Sequence, residues 1–174
     1  MSDWNAPAGL TYGALIVGLM ALAAELANWY PGWKALRKAP LKWVAGLAPF
    51  GFMWLVGALM SMCAGGLVGW ATGWFVWGAG WLGDGALIYG VGGERQSVPT
   101  GLSQPLTNGG LAMTLIILVV AVIRLRKGGM EWNHKRGLIS GATLGLSAGV
   151  AAVVAVPLAS AVNLAGAWIP GGTL

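Results

Sequence analysis

Four long stretches of this chain are almost wholly apolar, and short basic or turn-forming clusters separate them. Spanning lipid as a helix takes about 20 mostly apolar residues, because each residue rises about 1.5 Å and every backbone polar group must bond inside the helix. The first stretch runs from about Leu10 to Tyr30 and stops at Pro31-Gly32. The second begins at Trp43 and reaches at least Cys63, and the third covers about Leu106 to Ile123. The fourth runs from Leu138 to about Asn163. Within it Pro157 has no N–H to give the preceding turn, which predicts a kink.

The chain carries no charge from Trp43 to Gly83, twice the length one span requires. Inside that length Trp70, Trp74, Trp77 and Trp81 recur at i, i+4, i+7 and i+11, one face of a helix. Tryptophan favours the headgroup level, where the ring is buried and its N–H stays wet. The pattern predicts a Trp/Gly-rich extension of the second helix, bent along the outer interface as a collar. The alternative is a fifth span from about Leu67 to Tyr89, which would reverse both later helices.

Composition fixes the solvent. Of 174 residues, 57% are hydrophobic and 9% charged, whereas an ordinary soluble domain is about a quarter charged. So few charges cannot cover the surface of a small soluble domain, and such hydrophobicity excludes disorder. The expectation is an all-α integral membrane protein.

The net charge of +5 matters less than its placement. Nine of the ten basic residues fall in two clusters: Lys34, Arg37, Lys38 and Lys42, then Arg124, Arg126, Lys127, Lys135 and Arg136. Loops rich in Lys and Arg stay cytoplasmic. Four transmembrane helices then form two helical hairpins with basic cytoplasmic loops. The first spans about residues 10–83, an external linker 84–109, and the second hairpin about 110–168. Both termini lie outside the cytoplasmic (inner) membrane of a bacterium. The N-terminal residues hold no Lys or Arg ahead of the first apolar segment, so a secretory signal is not expected there. The lone Cys63 admits no intrachain disulfide.

Two stripes of small residues repeat every four positions: Gly137, Gly141, Gly145 and Gly149, and Gly57, Ser61, Gly65, Gly69 and Gly73. Small residues at that spacing let helix backbones approach closely in lipid. They predict tight packing within the chain or a homo-oligomeric seam.

Candidate chemistry is sparse. The acids Asp3, Glu25, Asp84, Glu94 and Glu131 are scattered, and His134 stands far from Cys63. Catalysis needs a nucleophile with a base, paired carboxylates or a metal cluster, and none is recognisable. No enzyme, cofactor or metal is expected. Glu131 and His134 read as a solvated loop pair, and Asp84 as an external loop carboxylate. Glu25 is the one acid inside a span, and intramembrane acids are functional hypotheses by default. It is expected to snorkel and pair with Lys34, Arg37 or Lys38, the alternative being an ion pathway. The basic loops are expected to attract anionic lipids, each residue adding about 1 kcal/mol near the surface; direct nucleic-acid contact is the lesser reading.

Each half resembles in layout the hairpin of type IV secretion pilins, with an apolar helix, a short basic loop and a Gly/Ala-rich apolar helix. The whole chain, biased to Gly, Ala and Trp, resembles the small hydrophobic spread and transfer proteins of actinobacterial conjugative elements. That resemblance implies a membrane partner of a DNA translocase, as a self-associating scaffold or pore-type subunit. Two other classes fit: a phage holin-like lesion-forming protein, and a small ion or proton channel using Glu25.

Overall fold

The computed structural model describes residues 10–63, 65–98, 106–129, 131–147 and 156–168. Every element in them is helical, apart from isolated bridge residues, among them Thr11 paired with Ser97. The helices are α1 (Tyr12–Trp29), α2 (Trp33–Lys38), α3 (Pro40–Met62), α4 (Gly66–Gly85), α5 (Asn108–Gly128), α6 (Trp132–Leu144) and α7 (Val156–Ala167). A π-helical turn, Ala86–Gly90, prolongs α4.

Among the described residues, three helices are long and apolar enough to cross a membrane: α1, α3 from Leu41 onward, and α5. At about 1.5 Å per residue, the 18 residues of α1 reach about 27 Å, close to the hydrocarbon thickness of about 30 Å. The fourth expected span is not one described helix. Residues 138–144 belong to α6, residues 148–155 lie outside the described residues, and the chain is helical again in α7. Pro157 is the second residue of α7 as described, and the four residues before Val156 lie outside the described residues.

The Trp/Gly-rich segment is a helix of its own rather than an extension of α3. The ladder stops at Cys63, whose backbone is extended. Helix restarts at Gly66 with φ +70°, a left-handed conformation that glycine adopts without strain. With α4 separate, its two faces divide. Thr72, Val76, Ala79, Gly80, Gly83 and Asp84 are buried, while Trp70, Trp74, Trp77 and Trp81 are exposed. The indoles stack edge to face, Trp70 to Trp74 at 6.1 Å and Trp74 to Trp77 at 5.4 Å between centroids. The buried face lies on α1 and the residues just before it, where Ala14 and Leu10 pack with Val76 and Ala79. Gly13 and Gly83 meet backbone to backbone, with no room for a Cβ on either.

The most extensive contact joins α3 to α6. A Cβ on Gly137 would strike the Phe50 carbonyl, one on Gly141 the Trp54 carbonyl, and one on Gly57 the backbone of α6. Beyond it, Leu59 and Met62 of α3 form an apolar cluster with Ala159 and Val162 of α7. The first turn of α5 docks on α7, Gly109 against Gly166, and Asn163 Oδ1 accepts the Thr107 N–H at 3.0 Å.

Candidate functional site

Both basic clusters come to one end of the helix bundle. Trp29, closing α1, donates its indole N–H to the Trp43 carbonyl at 2.5 Å, which ties α1 to the start of α3 across α2. α6 begins beside them: its Arg136 guanidinium lies 3.2 Å from the Glu25 carboxylate of α1. Lys34, Arg37, Lys38 and Lys42 are exposed, as are Arg124, Arg126 and Lys127 on the last turns of α5 and Lys135 on α6. Arg136 alone among the nine turns inward.

This corrects the expected partner of Glu25. The acid is buried, 4% exposed, and pairs with the second basic cluster rather than with Lys34, Arg37 or Lys38. Its depth on α1 explains the choice. Glu25 sits one turn inside the helix end, and α6 lies against α1 at that level, whereas the α2 cations lie beyond the end. A carboxylate near a helix C-terminus opposes the helix dipole, and a bound guanidinium offsets that. Trp132 holds the cation from its other side, with its ring 5.7 Å from the Arg136 guanidinium carbon and 5.5 Å from Lys135 Nζ.

Arg136, Ser140, Thr143 and Ser147 fall at i, i+4, i+7 and i+11. Ser140, Thr143 and Ser147 are all buried, and a Cβ on Gly18 of α1 would overlap the Thr143 hydroxyl. Thr143 and Ser147 spend their hydroxyls on carbonyls of the preceding turn. The Ser140 hydroxyl is buried with no partner among the described residues. The face is therefore a closely packed polar seam.

Asp84 is likewise not a loop carboxylate. It closes α4, is 5% exposed, and its Oδ1 accepts the Gly13 N–H at 3.2 Å. It thus supplements Thr11, whose hydroxyl accepts the Ala14 N–H, in capping the N-terminus of α1. Arg95 Nε stands 3.1 Å from Asp84 Oδ2. The segment that carries Arg95 also pairs with the chain before α1: Tyr12 N–H donates to the Gln96 carbonyl and Val98 N–H to that of Leu10. Two acids therefore fasten the two ends of α1, one to α6 and one to α4.

Of the small-residue stripes, Gly57, Ser61, Gly137, Gly141 and Gly145 are buried. The Ser61 hydroxyl donates to the Ala58 carbonyl at 2.7 Å and meets the space a Cβ on Gly145 would need. Gly69 and Gly73 are half-buried on α4, Gly65 is exposed, and Gly149 lies outside the described residues. One stripe is thus split by the break between α3 and α4, and its first part faces the other.

Glu131 is exposed and outside the helix, as expected, whereas His134 is half-buried and helical. Glu131 precedes α6 and His134 sits in its first turn; both line a cavity of about 610 Å³ between α3 and α5. No group of three or more His, Cys, Asp or Glu side chains with metal-site geometry occurs among the described residues. Compared with protein-family models, curated proteins and solved structures, the chain matches none.

Proposed function

We propose that the chain is a non-enzymatic, multi-pass subunit of a bacterial inner membrane, acting as a self-associating scaffold or pore-type component of a conjugative DNA-transfer apparatus. One observation carries the reading: eight exposed cations from two distant parts of the sequence gather at one end of an otherwise apolar helix bundle. The positive-inside tendency puts that end in the cytoplasm, and both chain ends outside. There it presents a cationic face to anionic lipid and to an acidic partner such as the cytoplasmic part of a DNA translocase. The glycines between α3 and α6 are already occupied within the chain, so a second copy would dock elsewhere. The surfaces left to it are the exposed indoles of α4 and the exposed Leu115, Ile116, Val119 and Val120 of α5.

Deleting the chain from donor cells is expected to abolish DNA transfer to recipients. Complementation with Lys38→Gln plus Lys127→Gln is expected to restore it only in part, at unchanged membrane abundance. Undiminished transfer from the deletion strain would sink the proposal. Prompt lysis on expression alone would instead point to a lesion-forming protein.

A further inference from the structure

The cavity at the basic end has a composition that neither packing nor topology accounts for. Its walls are Ala45, Ala48, Pro49 and Phe52 of α3 and Val120 and Ala121 of α5, all apolar. Its rim is polar: Arg124 from α5, then Glu131 and His134 where α6 begins. Two features of that rim favour an anion. Arg124 is exposed there. α6 starts at the cavity without a side-chain cap; the His134 amide bonds the Glu131 carbonyl, which leaves the Trp132 and Asn133 amides and the positive end of the dipole to an acceptor. Lys127 adds a further cation on the next turn of α5, on a groove it shares with Arg124. Glu131 is the one opposing charge.

The walls add a second, different preference. Ala45 and Ala48 leave the α3 side shallow, and Pro49 stands inside that helix. Proline has no N–H for the carbonyl four residues earlier, which frees the Ala45 carbonyl at the cavity wall to accept a hydroxyl. A ligand that suits the whole space has a hydrocarbon body, one negative charge beside Arg124 and the start of α6, and a hydroxyl within reach of α3.

We propose that this cavity is a binding site for one anionic phospholipid of the leaflet at the basic end, with an acyl chain between α3 and α5 and its phosphate between Arg124 and the first turn of α6. Basic pockets between membrane helices suit such headgroups; the charge complementarity and the apolar walls together select a lipid over a free anion. The site rests on the bilayer residence stated above, but not on any role in DNA transfer.

The test is native mass spectrometry of the full chain, released from detergent with equal amounts of phosphatidylglycerol and phosphatidylcholine of matched chains. Wild-type protein is expected to retain phosphatidylglycerol at least about fivefold better, the equivalent of about 1 kcal/mol for one basic residue at the surface. Arg124→Gln is expected to bring the ratio near unity, and Lys38→Gln, on the same cationic face but not lining the cavity, to lower it clearly less. Ala48→Phe, which fills the wall from an exposed position, is expected to lower retention of both lipids. Helicity by circular dichroism, unchanged in all three variants, keeps misfolding apart from lost binding. Equal retention of the two lipids by the wild type, or equal effects of Arg124→Gln and Lys38→Gln, would overturn the site while leaving the membrane reading intact. Displacement of the lipid by glycerophosphate or a short DNA duplex would overturn it in favour of a general anion surface.

Discussion

At the scale of single residues, the chain spends its few internal charges on fastening α1. Glu25 holds α6 through Arg136, and Asp84 of α4 holds the other end through the Gly13 amide. Such pairs are sensitive to the loss of one member, because the remaining charge keeps its desolvation cost. Glu25→Gln is expected to destabilise the detergent-solubilised protein by about 2 kcal/mol, less than a fully buried pair because about a fifth of the Arg136 side chain is exposed. Adding Arg136→Met should recover most of the loss, whereas adding Arg37→Met should not. Thermal unfolding of the three variants checks this; recovery by Arg37→Met would restore the partner expected from sequence. The sequence located Glu25 as the acid to watch, yet not its partner. Several cations lie within a few residues along the chain, and only the packing of α6 on α1 brings one that is 111 residues away to the carboxylate.

At the scale of elements, long apolar runs were legible and their ends nearly so. Leu10 to Tyr30 became α1 (Tyr12–Trp29), and the apolar run from Leu106 became α5. What the pattern hid was where one apolar run contains two helices. Met-Cys-Ala-Gly-Gly at 62–66 and the Leu, Gly, Ala and Val of 144–156, with Ser147 among them, hold no polar residue strong enough to mark a boundary, so the break before α4 and the end of α6 left little trace in hydropathy. The pairing of the glycine stripes was equally hidden, since spacing marks a close-packing face without naming what packs on it. The structure distinguishes glycines that share a helix. A methyl on Gly141 has no room beside the Trp54 carbonyl, whereas one on Gly51 of α3 meets open space. Gly141→Ala is therefore expected to cost about 1–3 kcal/mol by overpacking, and Gly51→Ala to stabilise by about 0.5–1 kcal/mol through helix propensity. The two melting temperatures should move in opposite directions; equal shifts would contradict the α3–α6 contact.

At the scale of the whole molecule, everything functional depends on both basic clusters lying at one end and on the same side of a bilayer. Glu25–Arg136 and the cavity shared by α3, α5 and α6 draw residues from both clusters' neighbourhoods together, and the Trp29–Trp43 bond closes the loop that carries the first. The segment before α5 departs instead from the far end, where Gln96 bonds the start of α1. The decisive measurement is labelling of intact cells with a membrane-impermeant thiol reagent, using single cysteines on a Cys63→Ala background. Lys38→Cys, Gln96→Cys and Gly128→Cys place the thiols at exposed positions and avoid the left-handed Gly129. The expected result is labelling at 96 in intact cells, and at 38 and 128 only after the membrane is opened. Labelling of either 38 or 128 in intact cells would contradict the shared cytoplasmic face.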